Sequence, residues 1–115
     1  MRVLVVDEDP SRQQVFRTRY VAHELVIVDA LMEAIAALTH HRFDLVLLDD
    51  CLCDNQVAGN VIARYISTTI PVSKRPSEVI IHSLNPIAAS LMRQILLAAK
   101  NPPRVSCQPY MHFTN

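Results

Sequence analysis

Six carboxylate side chains stand at or just beyond the ends of two short apolar runs in this sequence. They are Asp7, Glu8 and Asp9 after the first run, and Asp49, Asp50 and Asp54 after the second. Crowding so many negative charges costs free energy unless a cation compensates them. Two or three carboxylates with water are the ligands that Mg²⁺ prefers. These residues therefore predict a divalent-metal site.

A second group of polar residues follows the apolar run Val79 to Ile81. Histidine exchanges protons near neutral pH, so His82 is a candidate proton donor or base. Asn85 followed by Pro86 is typical of a helix start, and the free amides of a first helical turn can bind a phosphate oxygen. Asn85 is therefore a candidate phosphate-binding residue, although its plainer role is that of a helix cap.

The elements that would hold these residues alternate between strands and helices. Apolar runs rich in Val, Leu and Ile predict the strands Val3–Val6, Leu25–Val28, Leu45–Leu48, Val79–Ile81 and Val105–Cys107. Helices are predicted from Pro10 to about Tyr20 with Asp9 as cap, after Asp29, from about Val57 to Ser67, and from Pro86 to the stop at Asn101-Pro102-Pro103. In the last helix, Ile87, Leu91, Ile95 and Ala99 form one apolar stripe. The pattern predicts a parallel sheet with helices on both faces, with chemistry at the carboxyl ends of the strands.

Composition narrows the class of protein. A length of 115 residues predicts a single domain over residues 1–115, and a hydrophobic fraction of 50% is enough to form its core. Eleven basic residues balance eleven acidic ones, so the chain lacks the charge of a protein that binds double-stranded nucleic acid. Its one glycine excludes glycine-rich phosphate loops. No membrane span or secretion signal is visible, and three cysteines are too few for a disulfide scaffold, so we expect a cytoplasmic protein.

Three segments resemble the receiver domains of two-component response regulators. VLVVDEDP is similar to the first receiver strand with its acidic pair, FDLVLLDD to the third strand, and VIIHS to the fourth. The resemblance implies a flavodoxin-like five-stranded parallel sheet, Mg²⁺ held by Asp7, Glu8 and Asp49, and Asp49 as the residue that accepts a phosphoryl group. It also places Ser83 at the family's hydroxyl position, which contacts the phosphoryl group.

Two departures set this chain apart from ordinary receivers. Receivers end their fifth strand with Lys-Pro, and here Gln108-Pro109 stands instead. Glutamine still donates a hydrogen bond to a phosphoryl oxygen, but without charge it forfeits part of a contact worth about 1.5–3 kcal/mol. The sequence also ends soon after Tyr110, so we expect the last receiver helix to be missing.

The run VIIHSLNPIAASLM is similar more narrowly to the cyclic-phosphate-processing receiver family, in which His-Ser and Asn-Pro follow the fourth strand. That family also carries Asp-His-Asp-Leu after the third strand, where this chain has Asp49-Asp50-Cys51-Leu52. The resemblance implies opening of a cyclic phosphate. The chemistry of the residues is compatible with that reaction. Asp49 could be the nucleophile or hold the attacking water, and His82 could shuttle a proton, with Ser83 as a further catalytic residue; Ser83, Asn85 and Gln108 could bind the phosphate.

Three functions therefore remain open. The first is Mg²⁺-dependent processing of a cyclic phosphate or related phosphoester through Asp49, which would make the chain a phosphoesterase. The second is a stand-alone receiver in a phosphorelay, phosphorylated on Asp49 by a histidine kinase or a small phosphodonor. The third is a pseudo-receiver that binds a protein partner without phosphate chemistry, which Gln108, Asp50 and Cys51 favour.

Overall fold

The computed structural model describes residues 1–113, and for His112 the backbone alone. Five strands alternate with four α-helices along this part of the chain. The strands are β1 (Arg2–Val6), β2 (Glu24–Val28), β3 (Leu45–Leu48), β4 (Glu78–Ile81) and β5 (Arg104–Cys107). The helices are α1 (Pro10–Arg19), α2 (Leu31–His40), α3 (Ala58–Arg64) and α4 (Pro86–Leu97). All five predicted strands are confirmed to within a residue.

The strands form one parallel sheet in the order β2-β1-β3-β4-β5. This is the strand order of flavodoxin-like folds, and it confirms the predicted fold class. The chain first adds β2 on one side of β1 and then returns to add β3 on the other side. The switch point therefore lies between β1 and β3, whose carboxyl ends lead into Asp7 and Asp49.

The two faces of the sheet carry separate apolar cores, because side chains alternate along each strand. The larger core, formed with α2, α3 and α4, includes Leu38, Ile62 and Met92. The smaller core packs Phe16 of α1 and Phe113 against the opposite face. Their rings meet edge to face with centroids 5.2 Å apart.

The helix starts follow their capping residues. Asp9 accepts hydrogen bonds from the amides of Ser11 and Arg12 and caps α1, as predicted. Asn85 caps α4 in the same way. In contrast, α2 is capped by Ala30 without a side-chain bond, and Asp54 from a distant loop accepts a hydrogen bond from the Leu31 amide at 3.2 Å.

Two helix predictions differ from the structure. The third helix is α-helical only to Arg64 and continues as a π-helical turn over Tyr65–Thr69. In α4 the buried positions are Ala89, Met92 and Leu96, whereas Ile87 is 82% exposed. Steps of four residues advance 400° around a helix, so the predicted stripe winds away from the sheet.

After β5, residues Tyr110–Phe113 form a 3₁₀ turn that packs on α1. Within residues 1–113 no fifth α-helix follows β5, in agreement with the expectation. None of the helices in the described part of the chain is long and apolar enough to cross a membrane.

Candidate functional site

Four polar residues continue the sheet by one position beyond its strands. Backbone hydrogen bonds run from Asp49 N to Val6 O, from His82 N to Leu48 O, and from Gln108 N to Ile81 O, at 2.9–3.2 Å. Asp7, Asp49, His82 and Gln108 therefore stand side by side at the carboxyl ends of β1, β3, β4 and β5. We call them the rim row.

Alternation along the strands aims the rim row at α1. Val5, Leu47 and Ile80 lie two positions before Asp7, Asp49 and His82, and they pack in the smaller core beneath α1. Asp50 and Ser83, which directly follow Asp49 and His82, face the opposite side of the sheet, toward α3 and α4. There the Ser83 hydroxyl donates a hydrogen bond to Asp50 Oδ1 at 2.9 Å.

Asp7 is fully buried, and both of its carboxylate oxygens accept hydrogen bonds. Oδ1 accepts from the Asp9 amide at 2.9 Å and from Arg12 Nη2 at 2.9 Å. Oδ2 accepts from Arg12 Nε at 2.8 Å and lies 2.9 Å from His82 Nε2. Burial opposes ionisation, but the bonds from His82, Arg12 and Asp9 outweigh it and lower the pKa of Asp7 to about 2. Asp7 is therefore an anion held in place by charge-assisted bonds.

Arg12, in the first turn of α1, links the two aspartates of the switch point. Its guanidinium forms a bidentate ion pair with Asp7 through Nε and Nη2. Nη2 also lies 3.3 Å from Asp49 Oδ2. The guanidinium stands over the ring of Tyr110, 5.7 Å from its centroid. The hydrogen bonds with Asp7 raise the pKa of Arg12, although burial opposes this, so the guanidinium stays protonated.

Asp49 is 8% exposed and lies between Asp7 and His82 in the rim row. Its Oδ1 accepts a hydrogen bond from the Asp50 amide at 2.8 Å. Burial and the neighbouring Asp50 carboxyl raise the pKa of Asp49 to about 7, because two nearby negative charges in a poorly solvated place repel each other. Asp49 thus exchanges its proton near neutral pH, unlike Asp7.

His82 is 2% exposed and packs between Asp7 and Phe16 of α1. Its ring packs edge-on against Phe16, with centroids 4.9 Å apart. Nε2 faces the Asp7 carboxylate, so that nitrogen carries a proton. Nδ1 is buried and has no hydrogen-bond partner among the described residues.

A pocket of about 230 Å³ opens beside Asp49. Its walls are formed by Arg12, Asp49, Asp50, Cys51, His82, Leu84, Asn85 and Tyr110. A carboxylate, a guanidinium and an imidazole thus meet in one cleft, which we call the Asp49 pocket. Its size, below the roughly 300 Å³ of a typical small-molecule site, suits a phosphoryl group better than a whole nucleotide.

The chain's one glycine, Gly59 of α3, sits behind this pocket. A Cβ atom placed on it would lie 2.6 Å from Asp49 O, 2.8 Å from Asp50 Cα and 2.5 Å from Met92 Sδ. The Gly59 amide also donates a hydrogen bond to Asp50 O at 3.0 Å. Only glycine allows the helix to approach the Asp49–Asp50 peptide so closely, which sets the position of both carboxylates.

The structure separates the six predicted carboxylates. Asp7 and Asp49 come together, whereas Asp9 caps α1 and Asp54 binds the start of α2. The Glu8 carboxylate accepts a hydrogen bond from the Cys53 amide at 2.7 Å.

Of the three predicted phosphate-binding residues, only Asn85 is among those that line the Asp49 pocket. Asn85 lines the Asp49 pocket while its Oδ1 accepts from the amides of Ile87 and Ala88. Ser83 faces Asp50 and accepts a hydrogen bond from the Asn85 amide. Gln108 turns its amide to Ser106 Oγ at 3.3 Å.

Two residues of the site were not predicted from the sequence. Arg12 carried a usable signal, since it stands five residues after Asp7 in the first turn of a helix capped at the same strand end. Tyr110 had none, because its place over Arg12 depends on the turn after β5 folding back onto α1.

The geometry fits a divalent cation at the switch point. Asp7, Asp49 and His82 each offer one ligand atom, and these atoms all lie within 4.8 Å of one another. Two carboxylate oxygens and an imidazole nitrogen suit Mn²⁺ or Zn²⁺ as well as a harder ion. These residues could therefore bind a metal. The sequence did not predict the imidazole as a ligand, and Nε2 could bind the ion only by giving up its proton and its bond to Asp7.

Comparison with known proteins gives one family. The sequence profile described as "cyclic-phosphate processing receiver domain" matches residues 1–98. None of the curated proteins compared matches this chain.

Two solved structures share the fold. One is the phosphorylated cyanobacterial phytochrome response regulator RcpA, with a TM-score of 0.72 and 18% identity. The other is the Mn²⁺-bound form of response regulator Rcp1, with a TM-score of 0.72 and 15% identity. Each alignment covers 98% of this chain and 88% of the other.

Proposed function

Because this chain belongs to the family of cyclic-phosphate processing receiver domains, we propose that it opens a cyclic phosphate or a related phosphoester at Asp49. The proposal covers residues 1–115 as one receiver-like domain. It depends on a metal ion and takes a phosphate-containing small molecule as its substrate. The site residues of the proposal are those of the rim row together with Glu8, Ser83 and Asn85.

One observation carries the proposal: a carboxylate and a histidine line the same pocket from neighbouring positions of the rim row. Opening a cyclic phosphodiester requires an attacking group on phosphorus and a proton for the departing ring oxygen. Asp49 and His82 supply one of each. A receiver that only accepts a phosphoryl group has less need of a buried histidine beside its aspartate.

The chemistry then proceeds in one of two ways. In the first, the Asp49 carboxylate attacks phosphorus, the ring P–O bond breaks, and the leaving oxygen takes a proton from His82. Water then attacks the acyl phosphate, the bond to Asp49 breaks, and the proton that the water loses returns to His82, which restores both groups. In the second, Asp49 takes a proton from water as the water oxygen attacks phosphorus, and His82 protonates the leaving oxygen as before. The proton on Asp49 then passes through solvent to His82, which restores both groups.

The remaining residues hold the phosphate and its charge. Asp7, Glu8 and Asp49 would hold Mg²⁺, with Glu8 giving up its bond from the Cys53 amide. A bound Mg²⁺ would neutralise charge on the phosphoryl oxygens. Asn85 lies on the pocket wall, and Ser83 and Gln108 stand at the ends of the neighbouring strands, from which they would donate hydrogen bonds to the phosphate. The small volume of the pocket favours recognition of the phosphate end of the substrate, with the remainder outside.

The test is ³¹P NMR of the protein with Mg²⁺ and a 2′,3′-cyclic nucleotide. We expect the cyclic phosphate signal to give way to a phosphomonoester, and Asp49→Asn to abolish the conversion. Asp29→Asn is the matched control, since Asp29 follows β2 at the same sheet edge but is exposed. Conversion that survives in Asp49→Asn overturns the central role of Asp49.

A second candidate is a stand-alone receiver phosphorylated on Asp49. It is favoured by the receiver fold, which this chain shares with a phosphorylated response regulator. A histidine kinase or a small phosphodonor would be the source. Phosphoramidate with Mg²⁺ tests it, because a stable acyl phosphate that forms on Asp49 without any turnover of cyclic phosphate would replace the first proposal by this one.

A third candidate, the non-catalytic pseudo-receiver with a protein partner, is favoured by the Arg12 fork, which already neutralises Asp7 and touches Asp49. If Mg²⁺ leaves the melting temperature unchanged and neither substrate reacts, this candidate is the one that remains. For all three we propose a cytoplasmic location, where the free cysteines Cys51, Cys53 and Cys107 would stay reduced.

A further inference from the structure

We propose that Arg12 and a divalent metal ion exclude each other at the switch point, so that Arg12 is a displaceable internal cation of this site. With no metal bound, the guanidinium links Asp7 and Asp49. Metal binding moves it off the carboxylates. The inference deepens the proposed function, and rests on it, by stating what governs metal binding there.

Asp7 has no free acceptor position for a metal ion. Its two oxygens accept four hydrogen bonds: two from Arg12, one from the Asp9 amide and one from His82. An ionised carboxylate offers about four lone-pair positions, so all of them are engaged. A metal ion that binds Asp7 must therefore displace a donor.

Arg12 is the donor that can leave. The Asp9 amide belongs to the backbone at the start of α1, and the His82 side chain is only 1% exposed and packed on Phe16. The Arg12 side chain is 24% exposed and borders the Asp49 pocket. Its long stem lets the charged head swing outward while the backbone of the helix stays in place.

Charge makes the exclusion mutual. The guanidinium reaches Asp49 Oδ2 at 3.3 Å, so it lies where a metal bridging Asp7 and Asp49 would lie. A divalent ion placed between the same carboxylates would lie close to the guanidinium, and two positive charges so close together repel strongly in a poorly solvated place. A guanidinium and a divalent ion cannot both occupy the position.

The displaced guanidinium stays within the site. Its stem remains on the first turn of α1. While the guanidinium is still bonded to Asp7, Nη1 already lies 3.6 Å from Asp9 Oδ2 and the Tyr110 ring lies alongside, so both are partners toward which it can turn. From the wall of the Asp49 pocket it can pair with phosphoryl oxygens, for which its planar fork is well suited. Arg12 would then supply the positive charge that Gln108 lacks.

The test is calorimetric titration of Mn²⁺ and Mg²⁺ into the intact protein and three variants. Arg12→Met should bind metal at least tenfold more tightly than the unsubstituted protein, and Arg12→Lys should fall between the two. Arg17→Met, which removes the same charge from an exposed position of α1, should change the affinity less than twofold. Equal or weaker metal binding in Arg12→Met overturns the inference.

A second measurement needs no substitution, in case Arg12→Met fails to fold. In ¹⁵N NMR the Arg12 Nε–H signal should be protected from exchange with water while it is bonded to Asp7. Saturating Mg²⁺ should shift that signal and speed its exchange. A signal that stays unchanged while Mg²⁺ binds with a measurable heat overturns the inference.

These outcomes separate the inference from the proposed function. Tighter metal binding in Arg12→Met without opening of any cyclic phosphate would support the exclusion and reject the proposed reaction. Ring opening that depends on Asp49, together with metal affinity that is unchanged in Arg12→Met, would support the proposed reaction and reject the exclusion.

Discussion

His82 Nε2 lies 2.9 Å from Asp7 Oδ2, although the strands that carry these residues are separated in the sheet by β3. The bond therefore crosses over the position of Asp49. It keeps an imidazole beside a carboxylate that exchanges its proton near neutral pH. Asp7 thereby orients His82 through Nε2, so Nδ1 is the nitrogen that would carry the proton transferred to the leaving oxygen.

Replacing His82 by alanine is expected to abolish turnover of a cyclic phosphate while metal binding weakens at most modestly. The leaving oxygen would lose its proton donor, whereas Asp7 and Asp49 would remain. The cavity beside Phe16 and the lost bond to Asp7 should also cost about 1–3 kcal/mol of stability. ³¹P NMR measures the turnover and calorimetry the metal binding. Turnover at the original rate in a folded His82→Ala protein would remove His82 from the mechanism.

The raised pKa of Asp49 predicts that the metal-free protein loses stability as pH rises. The pKa is about 7 in the folded state and 3.8 when unperturbed, so the folded state binds the extra proton between these values. This contribution is complete below pH 4 and is lost as pH rises through 7. We expect urea unfolding to require about 2–3 kcal/mol less at pH 8 than at pH 5. The difference should vanish in Asp49→Asn and shrink when Mg²⁺ is added. A pH dependence that persists in Asp49→Asn contradicts the assignment.

The lowered pKa of Asp7 predicts a change of the opposite sign in acid. The folded value is about 2 and the unperturbed value 3.8, so the unfolded state is the one that binds the extra proton in this range. The contribution is complete above pH 4 and is lost as pH falls toward 2. About 2 kcal/mol of unfolding free energy should disappear across this range. Asp7→Asn should show a flatter acid profile, whereas the exposed Asp29→Asn should retain the original one.

Gly59→Ala is expected to destabilise the protein by about 1–3 kcal/mol and to disturb Asp49. The added Cβ would press on backbone atoms of Asp49 and Asp50, which cannot move aside as a flexible side chain does. Urea unfolding measures the first effect and loss of Asp49 reactivity the second. Asn60→Ala, the next position of α3, is the control and should leave both nearly unchanged. A fully stable, reactive Gly59→Ala protein would show that α3 does not set the position of Asp49.

Much of the fold was predictable because its signals are local. Each strand is a short Val-, Leu- and Ile-rich run, and α1 and α4 start where a capping residue precedes proline, at Asp9-Pro10 and Asn85-Pro86. Parallel pairing then brings the residue after each strand to the same edge. For this reason Asp7, Asp49 and His82 could be expected at one rim.

What local patterns could not predict is which of these side chains meet. Asp54 and Glu8 belong to the same acidic group in the sequence as Asp7. Their carboxylates nevertheless accept hydrogen bonds from backbone amides, those of Leu31 and Cys53 respectively. The stripe on α4 shows the same limit, since Ile87 is exposed while Met92 is buried. The partner of such a carboxylate and the buried face of a helix are set by neighbours that are distant along the chain.

The sequence by itself therefore determined the alternation of strands and helices, the starts of α1 and α4, and the edge at which the chemistry would lie. Only the tertiary structure decided that Arg12, rather than a residue of β5, supplies positive charge to the aspartates, and that His82 reaches Asp7 across β3. The physical reason is that backbone propensity acts over a few residues. A charge-assisted hydrogen bond instead depends on two side chains meeting within about 3 Å, whatever their separation along the chain.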